Sequence, residues 1–212
     1  MEGISTEERG RLARLITRLQ DDPEGADETL AVEEVTQKSD AHTVGISGVA
    51  GAGKSTLGKL LAKKFEMEFV ELDTLIQEDA GISVAEIFEL EGPEGYRRRE
   101  AHSLEQWLQS SPEEGVLAVP GGIVHSPSTW ERLLGECHTV WLRARPEEHW
   151  DRVAAQGDTR PMAGDPGAMD RLRALLNERT PAYRRAEFHL DTRGRKVESC
   201  LKELEKTLKR VN

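Results

Sequence analysis

From residue 43 onward, short apolar runs alternate with longer amphipathic stretches. The runs are Thr43-Val44-Gly45-Ile46-Ser47, Phe69-Val70-Glu71-Leu72, Val116-Leu117-Ala118-Val119, Thr139-Val140-Trp141-Leu142 and Phe188-His189-Leu190. Short apolar runs of three to five residues, most of them carrying β-branched side chains, predict strands. Between them, Ser55 to Lys64, Ala101 to Gln109 and Val197 to Leu208 carry apolar positions at helical spacing. Strands separated by helices of this length predict βαβ units and a parallel sheet, an α/β fold. Ser83-Val84-Ala85-Glu86 is a capping-box pattern that opens a helix through Leu90, with Gly92-Pro93 as its stop.

Residues 1–42 have a different texture. Leu12, Leu15, Ile16 and Leu19 share one helical face, and Asp21-Asp22-Pro23-Glu24-Gly25 ends that pattern before an acidic stretch. This predicts an N-terminal helix and acidic linker (1–42) ahead of one α/β domain (43–212). The arm is read as a docking helix, a dimer contact or the remnant of a linker. Of 212 residues, 29 are Lys or Arg and 39 are Asp or Glu, a net charge of −10. So acidic a chain argues against nucleic acid as a partner, because phosphate-backbone binding starts from clustered cations. Cys137 and Cys200 show no metal-ligand spacing and predict reduced thiols, as expected in the cytoplasm. MEGISTEERG lacks the pattern of a secretory signal, and no run of 18 apolar residues predicts a membrane span. A cytoplasmic protein, monomeric or weakly dimeric, is the expectation.

The chemistry begins at Gly48-Val49-Ala50-Gly51-Ala52-Gly53-Lys54-Ser55-Thr56, a full G-x-x-x-x-G-K-[ST] match between a predicted strand and a predicted helix. Glycines let the backbone curl so that successive N–H groups face phosphate oxygens. Gly48, Gly51, Ala52, Gly53, Lys54, Ser55 and Thr56 are therefore the candidate nucleotide-binding residues, with Lys54 on the transferring phosphate and Ser55 on Mg²⁺. No guanine-reading N-K-x-D occurs, and the 160 residues after the loop are few for a motor, so a small-molecule kinase is favoured.

Glu71 and Asp73 sit where the next strand should end, and spacing of two along a strand puts both on one side, facing the ligand crevice. One can support hydrated Mg²⁺ and the other take a proton from a hydroxyl nucleophile; alternatively one caps the following helix. Arg97 and Glu100 form an i, i+3 pair in which the carboxylate can orient the guanidinium. Pro120-Gly121-Gly122 follows a strand and offers bare backbone to a ligand, or is a tight turn. Gly157 to Gly164, carrying Arg160, reads as a lid or a loop. Trp107, Trp130, Trp141 and Trp150 are read as packing anchors.

Together these pieces resemble the shikimate kinase family over about 165 residues, from Val44 to the final helix. The resemblance implies a P-loop three-layer sandwich with a five-stranded parallel sheet and a small lid, and it implies ATP and Mg²⁺ as cofactors. It implies that Asp73 holds and deprotonates the substrate hydroxyl. Arg97 and Arg179 (the latter in Arg179-Thr180-Pro181-Ala182-Tyr183) clamp a carboxylate, Phe88 packs on the ring, and Gly121 and Gly122 give backbone contacts. Arg160 reaches the phosphates, Glu71 stands on the metal side with Ser55, and Arg152 and Arg193 are candidates beside adenine. Tyr96 replaces the Phe of the family's Phe-Arg-x-x-Glu element, Glu71 replaces an Asp, Pro120 replaces the first glycine of the turn, and Met162-Ala163 replaces Leu-Leu after Arg160-Pro161.

The lid sequence and the Pro-Gly-Gly turn are most similar to the shikimate-kinase-like domain of benzoyl-CoA-responsive transcriptional regulators. Two functions therefore compete: an ATP-dependent kinase converting shikimate to shikimate 3-phosphate, with gluconate or another hydroxy acid as an alternative substrate, and a non-catalytic sensor of an aromatic CoA thioester. Asp73 favours the kinase, since a sensor has no use for a proton acceptor beside the phosphate cradle.

Overall fold

The structure, a computed structural model, describes residues 42–110, 114–148 and 167–209. All of them belong to the unit Lys38–Asn212. The predicted arm (apart from His42), Trp150, Arg152 and the predicted lid with Arg160 lie outside the described residues.

Strands β1 (His42–Ser47), β2 (Glu68–Glu71), β3 (Glu114–Ala118), β4 (His138–Arg143) and β5 (Phe188–Asp191) coincide with the five apolar runs. They form one sheet in the order β2-β3-β1-β4-β5, every pairing parallel. Helices α1 (Lys54–Phe65), α2 (Leu72–Ala80), α3 (Val84–Ser110), α4 (Pro127–Glu136), α5 (Ala168–Tyr183) and α6 (Val197–Leu208) connect or follow them.

The runs are apolar at consecutive positions because both faces of the sheet are covered. On one face Ile46, Val116, Val140 and Leu190 pack with Leu57 and Leu61 of α1 and Leu204 and Leu208 of α6. On the other, Leu117 and Val119 pack with Ile76 of α2, Ile87, Leu104 and Trp107 of α3, and Trp130 and Leu133 of α4. Trp107, Trp130 and Trp141 are buried, as expected of packing anchors.

Since β1 pairs with both β3 and β4, the chain leaves β1 where the connections diverge to the two sides of the sheet. That switch point opens a crevice at the strand ends, where parallel α/β sheets bind ligands. The loop Gly48–Gly53 lies there.

One local expectation is corrected. The strand containing Glu71 ends at that residue, and Leu72 already begins α2. Asp73 thus occupies a first helical turn, and the strand-alternation argument does not apply to it. Gly92-Pro93 ends the first helical segment as expected: Gly92, at φ 69°, ψ −176°, leaves helical geometry, so α3 is two segments meeting at a kink, the second starting at once because Pro is tolerated in a first turn. The capping box forms as expected: Ser83 N–H donates to Glu86 Oε2 at 2.8 Å, and Glu86 N–H donates to Ser83 Oγ at 3.3 Å.

Candidate active site

The Gly48–Gly53 loop takes its shape from left-handed backbone at Gly48 (φ 140°), Gly51 (φ 74°) and Gly53 (φ 95°). At Gly48 there is also no room, since a Cβ would stand 2.9 Å from the Leu142 carbonyl oxygen. Lys54 is the first residue of α1, and its Nζ donates to the Gly48 and Val49 carbonyls at 2.8 and 3.2 Å. The ammonium is curled into the loop its own chain forms. Burial pushes it down to about 8, against the upward pull of the Asp73 and Glu71 carboxylates. Those two acids therefore lie close enough for their charges to act on Lys54. Ser55 and Thr56 stand in the first turn of α1, on the crevice side of a helix N-terminus.

The donor set fits what the sequence implied for ATP and Mg²⁺. The loop cannot accept a Cβ at its base, its lysine is already inside, and one hydroxyl (Ser55) and one carboxylate (Glu71) are oxygen donors of the kind that would suit Mg²⁺. Glu71 precedes α2 as its N-cap residue and makes no side-chain capping bond, so the alternative that it caps that helix is not realised.

The second half of α3 turns three residues toward the crevice. Tyr96 donates its hydroxyl to Asp73 Oδ1 at 2.6 Å. Arg97 donates from Nη1 to Glu100 Oε2 at 2.7 Å, the orienting pair expected at i, i+3. Glu100 is fully buried, and burial raises its carboxyl, opposed by the Arg97 guanidinium. Phe88 stacks on Tyr96 with ring centroids 4.6 Å apart and is 41% exposed, so one face of its ring is open.

The turn Pro120-Gly121-Gly122 closes the site from β3. A Cβ on Gly122 would overlap Arg97 Nη2, and one on Gly121 would meet the Gly48 carbonyl oxygen and Val49 Cα, each at 3.0 Å. The turn is thus wedged between the cradle and the guanidinium, which explains its two bare residues. Pro120 does no harm here because its role is to accept, its carbonyl taking the Ile123 N–H at 3.2 Å.

Helix α5 reaches the same turn through two residues one helical turn apart. Arg179 Nη1 and the Tyr183 hydroxyl both donate to the Gly121 carbonyl, at 3.1 and 2.5 Å. Arg179 Nε donates to His125 Nε2 at 2.9 Å, so that imidazole nitrogen must carry a lone pair. Burial and the Arg179 charge both push His125 down.

Of the residues singled out in the sequence, Gly48, Lys54, Asp73, Phe88, Arg97, Gly121, Gly122 and Arg179 converge around this crevice. Arg193 instead folds onto its own loop, where it pairs with both oxygens of Asp191. Three contributors escaped the sequence reading: the Tyr96 hydroxyl, His125 and Tyr183. Tyr183 had a signal, since it lies four residues after Arg179 and shares its helical face; the other two touch partners 23 and 54 residues away.

The sequence profile of the shikimate kinase family matches residues 50–209, three-quarters of the chain. The chain belongs to the shikimate kinase family. A shikimate kinase of Thermus thermophilus is 34% identical over 164 residues, covering 77% of this chain and 88% of the relative. That of Symbiobacterium thermophilum is 40% identical over 140 residues, 66% of this chain and 79% of the relative. Among solved structures, shikimate kinase from Acinetobacter baumannii in complex with shikimate superposes with a TM-score of 0.70 at 30% identity, covering 79% of this chain and 93% of the other. The family's P-loop α/β fold, with its five-stranded parallel sheet, is the one observed here. Among the described residues, no helix is long and apolar enough to cross a membrane.

Proposed function

We propose that this chain transfers the γ-phosphoryl group of ATP to a hydroxyl of shikimate, giving shikimate 3-phosphate and ADP. The observation that carries the reading is that a carboxylate, Asp73, and the cradle lysine, Lys54, face one crevice in a chain of this family, near enough for the carboxylate's charge to act on the ammonium. The loop amides and Lys54 hold the triphosphate, with Gly51, Ala52, Gly53, Ser55 and Thr56 around it. Ser55 and Glu71 would hold Mg²⁺, which would neutralise charge on the phosphate oxygens.

Arg97 and Arg179, on either side of Gly121-Gly122, clamp the shikimate carboxylate, and Phe88 covers the ring. Asp73 takes the proton of the acceptor hydroxyl as its oxygen bonds to the γ-phosphorus. The bond from that phosphorus to the β–γ bridging oxygen breaks, and its electron pair leaves with ADP. Arg160 adds charge stabilisation to the moving phosphoryl group, and Arg152 and Arg193 are the two candidates for the adenine contact, Arg193 from its pair with Asp191. We assign the reaction to the cytoplasm, which suits a chain whose two cysteines are buried thiols.

An ADP-release assay coupled to shikimate, run beside a benzoyl-CoA titration, tests it. Saturable shikimate-dependent turnover is expected. Its absence, with saturable benzoyl-CoA binding, would establish the sensor instead.

A further inference from the structure

Tyr96 is 3% exposed and its ring is held on two sides. Phe88 stacks against it at 4.6 Å, and the Arg97 guanidinium carbon lies 5.2 Å from the ring centroid. The ring therefore has no freedom to swing, and its hydroxyl is fixed at 2.6 Å from Asp73 Oδ1. Burial, the Asp73 charge and the hydrogen bond itself all keep the phenol proton on. Tyr96 is thus the donor in this bond, and Oδ1 the acceptor.

Asp73 needs such a restraint. It stands in the first turn of α2, partly exposed, on a side chain with two free torsions. A base must come within about 2.6–3.2 Å of the oxygen it deprotonates, and a misplacement of about 1 Å costs on the order of 100-fold in rate. Among the described residues, Tyr96 is the group that hydrogen-bonds this carboxylate.

We propose that Tyr96 is a positioning residue for phosphoryl transfer, its hydroxyl holding Asp73 Oδ1 so that Oδ2 is presented to the acceptor hydroxyl. The proposal rests on the kinase reading and adds a residue to it. The proton from the acceptor still goes to Asp73. Tyr96 neither gains nor loses one.

The test is Tyr96→Phe, which keeps the ring between Phe88 and Arg97 and removes one oxygen. It should lower kcat about 10- to 100-fold while KM for shikimate and for ATP change less than about threefold. In an Asp73→Ala background the same substitution should change the residual rate hardly at all, because the group it acts through is gone. A purely structural role would act equally in both backgrounds.

A second readout does not depend on turnover. The chain has only two tyrosines, so ¹³Cζ-tyrosine labelling gives two resonances, and Asp73→Ala should shift that of Tyr96 while leaving that of Tyr183 in place. Wild-type turnover that survives Tyr96→Phe unchanged, or a Tyr96 resonance indifferent to Asp73→Ala, overturns this role and leaves the kinase intact. A wild type without shikimate-dependent turnover overturns the kinase reading, and this role with it.

Discussion

The lowered Lys54 makes nucleotide binding a proton-uptake reaction at alkaline pH. In the empty protein burial brings the amine from its ordinary 10.5 to about 8. A bound triphosphate favours the ammonium, so above pH 8 binding must draw in a proton. Affinity should be flat below about pH 8 and then weaken by about tenfold per pH unit, reaching on the order of 30-fold at pH 9.5. Calorimetric titration with ATP in buffers of different ionisation enthalpy measures both quantities at once, and close to one proton should be taken up near pH 9. Lys54→Met should bind weakly, with no such dependence.

The sign for stability is the opposite. Between about pH 8 and 10.5 the unfolded chain holds this proton and the folded one has released it, so stability rises with pH across that window. Below the window the charged amine costs at most about 3 kcal/mol, less where solvent reaches the half-buried side chain. Its two bonds to loop carbonyls return about 1 kcal/mol each. Lys54→Met should therefore stabilise the empty protein at pH 7 by about 1 kcal/mol and destabilise it by about 2 kcal/mol above pH 10.5, where the neutral amine keeps its two bonds without the cost of the charge. A wild type that takes up no proton at pH 9 and binds ATP equally at pH 7 and 9.5 would refute the reasoning.

Gly122→Ala places a methyl group against Arg97 Nη2; because that guanidinium is the flexible partner, KM for shikimate should rise about 10-fold or more while the melting temperature and KM for ATP stay near wild type. Asp73→Asn should reduce kcat by about 10²- to 10⁴-fold with shikimate still bound, measured by steady-state kinetics and equilibrium titration; retained turnover would remove Asp73 as the base. His125 is pushed down by burial and Arg179, so its contribution is complete near neutrality and is lost as pH falls through its folded value. His125→Gln removes that titration, and the difference in melting temperature between about pH 5 and 7 should shrink.

The apolar runs located every strand within two residues, and the last helix, Val197–Leu208, residue for residue. Such runs are legible because a strand covered on both faces must be apolar throughout. The passage from β2 to α2 was not legible. Glu71 is extended at φ −103°, ψ 124°, Leu72 is helical, and no Gly or Pro marks the change. Gly92-Pro93 was legible for the converse reason, being strong punctuation at which helical geometry does break. At the site, the cradle was readable from one contiguous motif. The Tyr96–Asp73 bond spans 23 residues and joins two helices whose packing no local pattern encodes.

The turn Pro120-Gly121-Gly122 also has a thermodynamic consequence. Gly121 lies against the backbone of the cradle, and its carbonyl anchors both Arg179 and Tyr183, while Gly122 lies under Arg97. On the proposed reading, the wall of the nucleotide subsite and the mounting of the carboxylate clamp are the same three residues. A rearrangement of the loop on phosphate entry would then shift the seat of both arginines and couple the two ligands. Whatever factor the nucleotide imposes on affinity for the acid, the acid imposes on affinity for the nucleotide, since linkage is reciprocal.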